Sequence, residues 1–253
     1  MCMATFKKVL ILTGSSRGLG AALLDEYQNN GYFVYHCSRS LPQEDSTEGS
    51  KHFQISLNDF DAIEKFLDDV FGAEQTQAAE RLVLINNAGR LGQSRALKDI
   101  DPNDLDNTIG LNLTAAMLLT SKFLKAFESS KKEISIINIS SGAANSTIHG
   151  WSAYSASKAG MNAMTKTVAL ELSQREAESR IISIYPGIID TAMQAEIRAT
   201  DSKDFPSVQR FVDFKENEEL VTAEGVAAKI FYLDEVLKPE SGSIIDVRTI
   251  KSN

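Results

Sequence analysis

Short, continuous apolar runs alternate with helical stretches along nearly the whole of this 253-residue chain. The runs are KKVLILT, YFVYHCS, RLVLINN, EISIINIS, RIISIYPG and GSIIDVRTI. A strand that is apolar at every position, not at every second one, has both faces buried. Between the runs, AALLDEYQNNG, NDFDAIEKFLDDVF, NDLDNTIGLNLTAAMLLTSKFLKAF and the stretch from Ser152 to about Gln174 have helical spacing. This alternation predicts an α/β fold: one doubly wound Rossmann domain, with a parallel sheet of about seven strands and helices on both faces. No linker, repeat or low-complexity segment interrupts it, so residues 1–253 read as a single domain. Gly31 is the expected C-cap of the first helix, and Asn58 or Asp59 the N-cap of the second. The least regular part is residues 190–222, which is charged, contains Pro206 and follows a strand end. Such a segment suits a lid or substrate loop.

Composition excludes several function classes. The formal net charge is −8, which argues against a nucleic-acid surface, because that would need clustered Lys and Arg. No apolar run approaches the roughly 18 residues of a membrane span. The N-terminal MCMATFKK has no apolar run before its lysines and does not read as a secretory signal. The two cysteines, Cys2 and Cys37, fit a reducing cytoplasm and no disulfide. The three histidines, His36, His52 and His149, lack ligand spacing, so no metal site is expected.

The first run ends in TGSSRGLG, with Gly14, Ser15, Ser16, Arg17, Gly18, Leu19 and Gly20 between a strand and a helix. Glycines let the backbone approach a pyrophosphate, and the helix N-terminus offers it unpaired N–H groups and positive dipole. The spacing is G-x-x-x-G-x-G, so the loop alone also fits a plain tight turn. The second strand adds discrimination. An NAD site places an acid near its end to hold the ribose 2′-hydroxyl. Here Ser38 and Arg39 stand there instead, and Arg17 supplies a second cation. Arginine pairs with a 2′-phosphate that a carboxylate would repel. The expected cofactor is NADP(H).

GWSAYSASKAG places Tyr154 and Lys158 four residues apart, on one helix face. A packed helix with a small-residue face would read the same way. A general acid with its tuning cation also would. An ammonium near the phenol would lower its pKa from about 10 toward the range of efficient proton transfer. Ser141, at a strand end, has a hydroxyl able to donate to a substrate oxygen that gains charge. Asn112, inside a long helix, fits a held water, a local helix irregularity or a satisfied buried amide.

In order along the chain, TGSSRGLG, NNAG (86–89), Asn112, Ser141, YSASK and PGIIDT (186–191) resemble the short-chain dehydrogenases/reductases of the common, undivided type. The resemblance covers nearly the whole chain. It implies that Tyr154 is the acid/base, that Lys158 binds the nicotinamide ribose and lowers the tyrosine pKa, that Ser141 orients the carbonyl and that Asn112 holds a water in a proton relay. It also implies cofactor contacts from Ser56, Leu57, Asn87, Ala88, Gly89, Pro186, Gly187, Ile189, Asp190, Thr191 and Met193. Ser56–Leu57 departs from the family's usual Asp-Leu or Asp-Val, leaving less charge for the adenine contact.

LINNAGRLG, GWSAY, PGIIDTAMQ and SGSIIDV resemble the sepiapterin reductase branch, and NISSGAANSTIHGWSAYSASKAG resembles its bacterial benzil reductases. That likeness implies an NADPH-dependent carbonyl reductase of vicinal dicarbonyls, either benzil-like diketones or sepiapterin-like pterins. Its substrate contacts would come from Ser141, Gly142, Trp151, Tyr154, Gly187 and Asp246, with Trp151 as a pocket residue or a core residue and Asp246 as a pterin anchor or an ordinary strand-end acid. A homodimer or homotetramer is implied. Two other readings stay open: a non-catalytic NADPH-binding sensor, and an NADP-dependent dehydrogenase of another small alcohol.

Overall fold

A computed structural model describes residues 6–41 and 49–250 of the chain; Cys2 lies outside the described residues. Strands β1 (Lys8–Thr13), β2 (Tyr32–Ser38), β3 (Ser50–Gln54), β4 (Arg81–Asn86), β5 (Glu133–Ile139), β6 (Ser179–Tyr185) and β7 (Ile244–Asp246) form one sheet. Its order is β3-β2-β1-β4-β5-β6-β7, and every neighbouring pair is parallel. The order reverses between β1 and β4, and in such sheets ligands bind beyond the strand C-termini at that point.

The helices are α1 (Gly18–Asn29), α2 (Phe60–Phe71), α3 (Glu74–Ala78), α4 (Pro102–Ile109), α5 (Ala115–Ala126), α6 (Ser152–Leu172), α7 (Ala192–Arg198), α8 (Val208–Glu216) and α9 (Ala223–Tyr232). Alternate strand residues point to opposite faces, so the apolar runs build two cores. Val9, Ile11, Leu82 and Leu84 pack with Ile63 and Phe66 of α2 and Phe123 of α5. Leu10, Leu12, Val83 and Ile85 pack with Leu19 and Leu23 of α1 and Ile230 of α9. Gly31 follows α1 at φ +80°, and Asp59 caps α2 by accepting the Ala62 N–H at 3.1 Å. Asn58 donates instead to the Asn107 side chain at 2.8 Å.

At the N-terminal ends of the strands, the buried Asp234 carboxylate accepts from Arg81 (2.7 Å), Arg180 (2.8 Å), Ser135 (2.6 Å) and Tyr27 (3.0 Å). Burial pushes this carboxyl up, but the two guanidiniums and the Ser135 hydroxyl outweigh it and hold the pKa below the usual range. This cluster ties three strands and α1 together at the end of the sheet away from the glycine loop.

Three local expectations are corrected. The long helix expected over 103–127 is interrupted by a π turn at Gly110–Thr114, centred on Asn112. Residues 190–222 are irregular only in part: they include α7 and α8, and Ile197, Phe205 and Phe211 join Trp151 in one buried cluster. The last strand is only three residues long, because Asp246 accepts the Arg248 N–H at 3.0 Å and starts a 3₁₀ turn. The scattered histidines are also partly gathered. Parallel pairing of β2 with β3 sets His36 beside His52, with ring centroids 5.0 Å apart. No described helix is long and apolar enough to cross a membrane.

Candidate active site

The glycine loop is built for close approach. Gly14 and Gly18 have φ of +73° and +56°, and a Cβ on Gly20 would stand 2.0 Å from the Gly14 carbonyl oxygen. Arg17 precedes α1 without a side-chain cap, leaving the first N–H groups of the helix open to an anion. Ser15 is buried and bonded to the His36 ring at 2.8 Å, whereas Ser16 is half-buried and Arg17 exposed. The loop is pinned to the end of β4. Asn87 donates to the Thr13 and Gly14 carbonyls (2.9 and 3.1 Å), and the Thr13 hydroxyl accepts the N–H groups of Asn87 and Ala88 (both 3.0 Å). Thr13 accepts three of these four bonds, two of them at its hydroxyl, and was invisible in the sequence, where it is only the last strand residue. The Thr191 methyl would lie 3.2 Å from a Cβ at Gly18, so the PGIIDT segment closes over the same loop.

At the end of β2, Ser38 is buried, with its hydroxyl bonded to the Ser40 carbonyl (2.6 Å) and the His52 ring (2.8 Å). Arg39 is exposed and its carbonyl accepts from Gln54 at 3.1 Å. After β3, Ser56 is exposed and Leu57 buried in the core. The cradle, the open helix end and an arginine at the β2 terminus fit a nicotinamide dinucleotide.

Tyr154 and Lys158 lie on α6, both buried. The Lys158 ammonium donates to the Ile139 carbonyl at 2.7 Å and stands 5.9 Å from the centre of the Tyr154 ring. Burial pushes the lysine pKa down to about 8. Burial also raises the tyrosine, and a hydrogen bond from Ser141 partly opposes that. The expected lowering of the phenol by Lys158 is therefore reversed among the protein's own groups, because desolvation dominates. Ser141 accepts the Ala143 N–H at 3.1 Å. Asn112 is fully buried. Its Oδ1 accepts the Arg90 N–H, and its Nδ2 donates to the Arg90 carbonyl and the Ser157 hydroxyl. Its amide thus holds the segment that follows NNAG, and Gly89 would bring a Cβ within 3.5 Å of the Lys158 ammonium.

Ser141, Gly142, Trp151, Tyr154, Pro186, Gly187, Ile189, Thr191 and Met193 line one cavity of about 270 Å³. Its aromatic wall is assembled around Trp151, which stacks on Phe205 (5.3 Å), tilts against Phe211 (5.2 Å) and meets Tyr154 edge-on (5.6 Å). The Trp151 indole N–H is satisfied by Ser94 at 3.1 Å. Asp246 does not line the cavity; Arg248 does, and its guanidinium is bonded to the Asp246 carboxylate at 2.9 and 3.1 Å. Phe211, Phe214, Arg210 and Gln194 also line it and were missed, since their signal is only that they fall in the 190–222 segment. A second cleft, of about 420 Å³, shares Ser146 and Ile148 but holds none of Ser141, Tyr154 and Lys158.

Residues 8–202 match the family described as short chain dehydrogenase. The chain belongs to that family. It is accordingly an oxidoreductase acting on carbonyl or alcohol groups. It is 33% identical over 241 residues to a benzil reductase ((S)-benzoin forming) of Bacillus subtilis, covering 95% of this chain and 98% of that one. A sepiapterin reductase of Bos taurus is 33% identical over 256 residues, covering 95% and 94%. The solved structure of ElxO with NADP bound superposes with a TM-score of 0.77 at 26% identity, over 95% of this chain and 96% of that one.

Proposed function

We propose that the protein is a cytoplasmic, NADPH-dependent carbonyl reductase that reduces a ketone of a vicinal dicarbonyl. The observation that carries this reading is Ser141 and Tyr154 at one wall of an aromatic cavity, with the Lys158 ammonium 5.9 Å from the centre of the Tyr154 ring, beside a glycine loop shaped for a dinucleotide. Gly14, Gly18, Gly20 and the N-terminus of α1 would hold the pyrophosphate, Ser38 and Arg39 the 2′-phosphate, and Lys158 the nicotinamide ribose. Bound there, the reduced nicotinamide supplies a hydride to a ketone carbon. Tyr154 donates its phenolic proton to the ketone oxygen. A phenol kept neutral by burial is in the protonation state that a proton donor needs. Ser141 bonds the same oxygen as negative charge builds on it. Lys158, with a pKa of about 8, keeps mostly cationic character at neutral pH beside the phenol. Helices α7 and α8 form a lid whose aromatic side chains exclude water from the reacting carbonyl.

Oxidation of NADPH, followed on addition of benzil and of a panel of other carbonyl compounds, tests the reading. Turnover with a 1,2-diketone supports it. Tight NADPH binding without turnover of any carbonyl would favour a sensor instead.

A further inference from the structure

Within the proposed substrate cavity, one cation has no counter-charge. No Asp or Glu lines the cavity, although the chain as a whole carries a formal charge of −8. Two arginines do line it. Arg248 is tied off by Asp246, and the nearby Lys215 by Asp190 at 2.6 Å. Arg210 makes no ion pair among the described residues; its guanidinium lies 5.3 Å from the centre of the Phe214 ring. A guanidinium laid on an aromatic ring keeps its N–H edge available for an anion. The rings run from Tyr154 to Trp151 (5.6 Å), Phe211 (5.2 Å) and Phe214 (5.9 Å), each figure being the distance from the ring before. Arg210 therefore closes the end of an aromatic wall that begins at the acid.

We infer that Arg210 selects carbonyl substrates bearing an anionic group, such as a carboxylate, at the far end of an apolar or aryl body from the ketone that is reduced. The inference rests on the carbonyl reductase reading. It differs from a pterin anchor, which needs an acid facing the substrate, since Asp246 is neutralised by Arg248.

The test compares benzil with 4-carboxybenzil, which adds one ring carboxylate. Binding is read without cofactor from quenching of Trp151, the chain's sole tryptophan, which lies in the cavity wall. Turnover is read as kcat/KM with NADPH. In the wild type, 4-carboxybenzil should bind and react about tenfold better than benzil, the lower range for a charge-assisted contact. The advantage should shrink with added salt. Arg210→Gln should abolish it, bringing the ratio of kcat/KM for 4-carboxybenzil to that for benzil to about one, while Arg210→Lys should retain most of it. An equal loss for both compounds, or no wild-type preference, would overturn the inference. If neither diketone is reduced but quenching by 4-carboxybenzil still depends on Arg210, the ligand class stands and the reductase reading fails.

Discussion

Asn112 clamps the backbone of Arg90 from both sides, accepting its N–H and donating to its carbonyl, each at 2.8 Å. The clamp crosses from the π turn to the segment after β4, and its remaining N–H goes to Ser157 on α6 at 3.1 Å. One buried amide thus joins the cofactor-side segment to the helix that carries Tyr154 and Lys158. The π turn is what aims it there, as such turns often do at functional sites.

Asn112→Asp keeps the size but removes both donated bonds and turns a carboxylate oxygen toward a carbonyl. It should destabilise the fold by about 1–3 kcal/mol, the usual cost of leaving buried polar groups unsatisfied. Chemical denaturation measures this, and turnover should fall with it. An unchanged unfolding midpoint would mean that the clamp does not contribute to stability.

Gly20→Ala tests the glycine loop. The new Cβ would meet the Gly14 oxygen at 2.0 Å and the Asn87 amide at 2.7 Å, so the loop must deform. NADPH affinity, measured by fluorescence titration, should fall by at least about tenfold. Gly142→Ala is the control: it meets nothing within 4 Å and should bind the cofactor normally.

The proposed preference for NADPH is tested at the end of β2. Arg39→Asp places a carboxylate where the exposed arginine is proposed to meet the 2′-phosphate. Affinity for NADPH should fall about tenfold or more and its advantage over NADH should narrow. A mutant that keeps the wild-type NADPH/NADH ratio would remove Arg39 as the selector.

Lys158 makes a pH-dependent prediction about stability. Its folded pKa is about 8, held down by burial, against about 10.5 in the unfolded chain. Between these values the unfolded state binds more protons, so its contribution to stability rises with pH. Relative to Lys158→Met, the wild type should gain up to about 3 kcal/mol between pH 8 and 10.5, read from denaturant unfolding at a series of pH values. At neutral pH the variant should be no less stable than the wild type, although turnover is lost. A difference that stays flat across this window would show that burial of the ammonium is not penalised.

Much of this was legible in the sequence, for identifiable reasons. Continuous apolar runs such as Val9–Leu12 and Leu82–Ile85 can only be strands buried on both faces, and they are. The spacing of Tyr154 and Lys158, and the glycines of TGSSRGLG, carry their geometry locally. The third strand, Ser50–Gln54, reads SKHFQ and has no buried residue, so its edge position left little apolar signal. The π turn at Asn112 depends on a partner 22 residues away in sequence, and helical periodicity runs straight through it. Helices α7 and α8 are short and mixed in charge, and their order comes from Trp151, a contact between distant segments. Arg248 decides what Asp246 can do, and nothing in the ending SGSIIDVRTI says which way that arginine folds.

Tyr154 is proposed to donate the proton in a reduction whose other parts do not need its hydroxyl. Tyr154→Phe keeps the ring, and with it the edge-on contact with Trp151 at 5.6 Å. The most direct measurement is kcat of the folded, NADPH-saturated mutant with the best carbonyl substrate, beside its NADPH dissociation constant. The dissociation constant should be unchanged and kcat lowered by at least about 100-fold, the lower range for general acid–base catalysis. Near-normal turnover in that mutant would contradict the proton-donor role.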